Sequence, residues 1–152
     1  MSNMKSLEKT MEWFSEAIPT PTLKTACVQI GCHIEEVAEM FEALGTEHVA
    51  KSLHDIAMNY KTCDVHAMEN VLTLDREGML DSVIDQTVTA AGISHMLKFD
   101  HLGALGEING SNFSKFLDGK ALFDENGKIK KGPNYYRPNL EPFVGKITYD
   151  YS

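Results

Sequence analysis

Apolar residues recur at intervals of three and four through most of the first hundred positions, the spacing of a helix that buries one face. Over residues 23–44 they are Leu23, Cys27, Ile30, Ile34, Val37, Phe41 and Leu44. Thr22 stands where an N-cap belongs and Gly45 where such a helix ends. An earlier helix over 4–17 stops at Pro19 and Pro21, which cannot continue it. A third, over 46–61, carries Val49, Leu53, Ile56 and Tyr60 on one side. Residues 62–73 give no clear period. A fourth helix, over 75–98, is patterned by Leu80, Val83, Ile84, Val88, Ala91 and Leu97, and a fifth, over 100–117, begins at Asp100, a capping residue type.

The helical period then breaks. Asp118-Gly119, Asn126-Gly127 and Lys131-Gly132-Pro133-Asn134 are turn signals, and Phe123 to Ile129 suits a small hairpin across Glu125-Asn126-Gly127. Pro138 and Pro142 keep the tail irregular. The chain therefore reads as an all-α fold of four or five helices, a single domain over 1–152, with 118–152 as a turn-rich C-terminal arm.

Composition narrows the function classes. The 152 residues carry a net charge of −8. The basic stripe of a general nucleic-acid binder is missing, so no nucleic-acid polymer is expected as partner. A nucleotide substrate stays open, because a bound metal reverses the local field. No apolar run is long enough for a membrane span, and no signal-peptide pattern opens the chain. Cys27, Cys32 and Cys63 form no C-x-x-C pair and read as reduced thiols, small core residues of a cytoplasmic protein.

Candidate chemistry sits on the polar side of the second helix. At about 100° per residue, Glu35, Glu36 and Glu39 share one arc. Like charges at these spacings repel, and a divalent cation turns that cost into binding. A solvated helix face has the same appearance. Asp81 and Asp85 form a second pair, beside the seam of the fourth helix. Val83, Ile84 and Val88 flank Asp85, which is expected to be partly enclosed and so to need a partner or a metal. Two helices offering carboxylates to one cleft make a hard-cation site, suited to Mg²⁺ or Mn²⁺ and to phosphate chemistry. The six histidines lack zinc-ligand spacing.

A third set, Asn109, Asn112, Ser114 and Lys115, suits phosphate or metal-bound water, or else a fraying helix end. Lys128, Lys130 and Lys131 are basic residues in an acidic chain, either a phosphate-facing lid or a solvated turn. His33 flanks the seam near Glu36. Trp13 and Phe14 are core residues by type, with Trp13 a candidate to stack on a base. No P-loop, G-x-G-x-x-G or Ser-His-Asp arrangement is present.

The run Glu35-Glu36-Val37-Ala38-Glu39 resembles the E-E-x-x-E element of the all-α nucleoside triphosphate pyrophosphohydrolases. That superfamily includes MazG-like enzymes, dimeric dUTPases and phosphoribosyl-ATP pyrophosphohydrolases. The segment Leu80 to Gly92 is similar to their second acidic helix. Glu107 to Lys115 and Asp118 to Tyr135 resemble phage-encoded MazG-like members, those acting on dATP and dGTP above all. The resemblance covers most of residues 10–140. One position departs: the family's second element is E-x-x-D, but Ser82 stands three before Asp85 and Asp81 is the nearest substitute.

The resemblance implies a MazG-like bundle that binds Mg²⁺ and cleaves a nucleoside triphosphate between the α and β phosphates. Glu36, Glu39 and Asp85 would bind metal with Asp81, and Glu35 would bind metal or hold the attacking water. Lys115 and Lys131 would meet phosphates and Tyr135 would close over the nucleotide. His33, Asn109, Asn112 and Trp13 complete the substrate set. A homodimer or homotetramer is expected, in a host cytoplasm if the chain is phage-encoded. Competing expectations are a dUTPase- or dCTPase-like activity, clearance of damaged nucleotides, and a catalytically silent helical oligomer that uses its acidic face to bind a partner.

Overall fold

A computed structural model describes residues 3–149. Six α-helices dominate: α1 (Leu7–Ala17), α2 (Leu23–Ala43), α3 (Glu47–Lys61), α4 (Val65–Leu72), α5 (Arg76–Met96) and α6 (His101–Phe113). A two-stranded hairpin, β1 (Leu122–Phe123) and β2 (Ile129–Lys130), and a 3₁₀ turn at Glu141–Phe143 follow. The protein is thus mostly helical, as its periodicity predicts. The stretch without a clear period holds α4, started by Asp64, whose side chain accepts from His66 N at 3.0 Å.

The other ends follow local chemistry. Ser6 caps α1, and Thr22 and Thr25 form a reciprocal capping box at α2. Gly45 terminates the α2 segment with φ 77°, a left-handed conformation that glycine adopts without strain. Asp100 caps α6 by accepting from Gly103 N at 2.9 Å. The expected hairpin forms: Asp124 Oδ1 accepts from Asn126 N and Lys128 N, both at 2.9 Å, and Gly127 takes φ 82°.

The chain folds as two compact units. The inserted unit is Thr20–Leu74 with Phe123–Lys130, and the terminal unit is Met1–Pro19, Asp75–Leu122 and Lys131–Ser152. In the inserted unit α2 packs on α3 and α4. Its most buried residues are small: Cys27, Val28, Gly31, Ala38, Ala50, Ala57 and Ala67. The larger Ile30, Ile34, Val37, Val49 and Leu53 are half-buried flanks of that seam, and Leu44 and Ile56 are exposed.

In the terminal unit α1 packs on α6, with Trp13 and Ala17 buried and the Trp13 ring stacked on Phe116. Helix α5 departs from expectation. None of its residues is buried, and Leu80, Val83, Ile84 and Val88 are 63%, 43%, 54% and 64% exposed. The periodic apolar residues are present in sequence, but in the described structure none of those on α5 is buried.

Candidate functional site

The acidic face of α2 rests on a close helix pair. A Cβ on Gly31 would lie 2.6 Å from Lys61 Cγ, 2.7 Å from Lys61 N and 2.8 Å from Ala57 O. Two of those neighbours are backbone atoms, so only glycine permits this approach. The approach brings Lys61, the last residue of α3, to Glu35, one turn beyond Gly31 on α2. Lys61 Nζ donates to Glu35 Oε2 in a half-buried ion pair. The hairpin adds a second cation, with Lys128 Nζ at 3.5 Å from the same oxygen.

Burial pushes the Glu35 carboxyl up, but the Lys61 hydrogen bond and the Lys128 charge outweigh it and hold the group below the usual carboxylate range. Glu35 is therefore a permanently charged acceptor near neutral pH. Cys32, also half-buried, has its thiol pushed up chiefly by burial, which leaves it a poor nucleophile.

Glu36 and Glu39, one turn apart, are exposed beside this cluster, and so is His33. Asp81 and Asp85 lie on α5 in the terminal unit, and both are exposed. The expected enclosure of Asp85 is therefore corrected: its flanking residues Val83, Ile84 and Val88 are themselves open to solvent. Among the described residues, no three His, Cys, Asp or Glu side chains are gathered as a metal group. The donor chemistry of α2 fits a hard cation at Glu36 and Glu39. Glu35 Oε2 is engaged by the Lys61 and Lys128 ammonium groups.

The remaining candidates lie in the terminal unit. Asn109 is 1% exposed, donating from Nδ2 to Met4 O at 2.6 Å and Ser6 O at 3.2 Å, while Oδ1 accepts from Thr10 at 2.9 Å. This corrects its place in the substrate set: the amide is spent tying α6 to the start of α1. Trp13 is corrected likewise. It is 6% exposed, stacked on Phe116 at 5.9 Å and edge-on to Phe14 at 4.9 Å, so its ring is core and not open to a base.

Lys115 and Asn112 are half-buried, with Lys115 Nζ 5.7 Å from the Trp13 ring centre. Lys131 is exposed and sits 4.9 Å over the ring of half-buried Tyr135. The two residues expected to serve one substrate thus touch one another.

Lys61 is the site residue that sequence reading missed. Its signal was Gly31, a glycine inside an apolar-periodic helix, which marks close backbone approach. No helix among the described residues is long and apolar enough to cross a membrane. The sequence matches no protein-family profile, no curated protein and no solved structure.

Proposed function

We propose that the chain hydrolyses a (deoxy)nucleoside triphosphate, a purine dNTP such as dGTP or dATP in the first place, to the monophosphate and pyrophosphate. One observation carries the reading: exposed Glu36 and Glu39 stand one turn apart on α2, beside a Glu35 kept ionised by Lys61 and Lys128. Carboxylates for a hard cation and ammonium groups for phosphate oxygens are the two charge types that triphosphate chemistry requires.

Glu36 and Glu39 would hold Mg²⁺ or Mn²⁺, and Asp81 and Asp85 on α5 form a separate carboxylate pair of the same chemistry. When bound, such a metal offsets phosphate charge and makes a bound water more acidic. Glu35, with its lowered pKa, accepts a hydrogen bond from the attacking water and orients it. That water attacks the α phosphorus and loses its proton to solvent, while the bond from the α phosphorus to the oxygen bridging to the β phosphate breaks, so pyrophosphate leaves with that oxygen. Lys115 and Lys131 contact phosphate oxygens, and Lys128 is a further cation for the leaving pyrophosphate once it parts from Glu35.

The test is a panel of dNTPs and NTPs with and without Mg²⁺, with products separated by chromatography. Metal-dependent formation of a monophosphate with pyrophosphate is expected. A panel without turnover, or one releasing only inorganic phosphate, refutes the reading. The exposed apolar residues of α5 favour a second reading, a silent helical oligomer, and an inactive panel would leave that one standing.

A further inference from the structure

Cys27 and Cys63 are far apart in the sequence and meet inside the inserted unit. Cys27 lies near the start of α2 and is fully buried. Cys63 lies between α3 and α4 and is half-buried. Its Sγ is 3.8 Å from the carbonyl oxygen of Lys24, which is one turn before Cys27 on α2. The two thiols are themselves joined by a hydrogen bond. We propose that Cys27 and Cys63 form a reversible dithiol–disulfide site that exchanges with small-molecule disulfides, and that its oxidised form staples the end of α3 to α2.

The backbone at Cys63 builds this contact into the fold. Helix α3 ends in a Schellman arrangement, with Asp64 N donating to Asn59 O at 2.9 Å and Cys63 N donating to Tyr60 O at 3.1 Å. That arrangement holds Cys63 at φ 55°, in the left-handed region that glycine enters without steric cost. A cysteine bears the cost there, and its sulfur lies against α2. Cys32 is placed differently. Five residues on, it is turned about 140° around α2 from Cys27. Its thiol feels the charges of Lys128, Glu35 and Lys61 instead.

Access divides the roles of the two sulfurs. Burial, and then the neighbouring Cys63, pushes the Cys27 thiol up, so Cys27 is the weaker nucleophile and the one shielded from reagents. Cys63 therefore reacts first. Its thiolate attacks one sulfur of a disulfide such as glutathione disulfide. The reagent's S–S bond breaks, a mixed disulfide forms on Cys63, and one glutathione leaves with the proton Cys63 gave up. The Cys27 thiolate then attacks the Cys63 sulfur, and the second glutathione leaves with the Cys27 proton. Two protein thiols are oxidised and one external disulfide is reduced to two thiols. The bond fastens α2 to the end of α3 one turn from the Gly31 contact, beside the residues that bring Lys61 to Glu35. It does not depend on whether the chain turns over a nucleotide, so it holds or fails separately from the proposed activity.

The test incubates the full chain in mixtures of glutathione disulfide and glutathione, alkylates the remaining thiols and maps peptides by mass spectrometry. Wild type should yield a Cys27–Cys63 bridge that dithiothreitol removes, with Cys32 outside it. The bridge closes a loop of about 37 residues, so oxidation should raise Tm by roughly 5–15 °C, and C63S should show no such rise. C27A lacks the resolving thiol and should accumulate glutathione on Cys63. Wild type whose Cys27 and Cys63 both stay alkylatable in the most oxidising mixture overturns the proposal. So does a bridge through Cys32, one formed only between chains, or glutathione that stays on Cys63 in wild type as it does in C27A. The wild-type peptide map decides by itself, so the test stands even where C27A fails to fold.

Discussion

Replacing Gly31 with Ala tests the contact on which the α2 site is built. The added methyl would meet Lys61 N at 2.7 Å and Ala57 O at 2.8 Å, both backbone atoms that cannot rotate away. Overpacking of a closed contact costs about 1–3 kcal/mol. Alanine returns about 1 kcal/mol of helix propensity over glycine. Because the clash is with backbone, the upper part of the cost range applies, and the net loss is about 1–2 kcal/mol. For a chain of this length that lowers Tm by roughly 2–8 °C.

The separation of α2 from α3 must grow, so the Lys61–Glu35 pair weakens too. Urea unfolding followed by far-UV circular dichroism on wild type, G31A and E35Q would separate the steric from the ionic part. E35Q removes the ion pair without adding volume, and G31A should fall below it. A G31A chain as stable as wild type would refute the close approach of α2 and α3.

Three further outcomes follow from particular residues. E36Q and D85N should each abolish Mg²⁺-dependent pyrophosphate release with little loss of helicity, and normal turnover in either would remove that residue from the metal set. Glu35 has a folded pKa below its unfolded one, so its stabilisation is present above the ordinary glutamate range and lost as pH falls through the folded value. K61M should reduce stability at neutral pH and flatten the acid side of the stability profile, measured by urea titrations across pH 3–8 on the usual carboxylate range; a profile identical to wild type would show that the pair contributes nothing. N109A should cost about 2 kcal/mol or more, since it deletes the partners of Met4 O, Ser6 O and Thr10, and a neutral thermal melt would contradict that role.

Local chemistry made most helices legible. Thr22, Gly45 and Asp100 act within a few residues of themselves, so capping and termination could be read without knowing what lay nearby. The same holds for the hairpin, set by Asp124 and Gly127. Helix α4 was missed because eight residues are too short to display a period. The acidic face of α2 was equally legible, since residues at three- and four-residue spacing share a side whatever surrounds the helix.

Which apolar residues are buried was decided by tertiary structure. Periodicity favours large side chains, yet α2 and α3 meet through Gly31, Ala38, Ala50 and Ala57, because small residues let two helices approach most closely. That approach selected Lys61 as the partner of Glu35, a choice that no spacing along either helix contains. Asn109 and Trp13 have the composition of a binding site, but three hydrogen bonds and two aromatic neighbours commit them to the core. The sequence by itself determined where the longer helices run and how α2 divides into an apolar and an acidic side, because those properties depend on neighbours a few residues away. Which face is covered, and which charge meets which, depends on segments far apart in the chain and is fixed only when they pack.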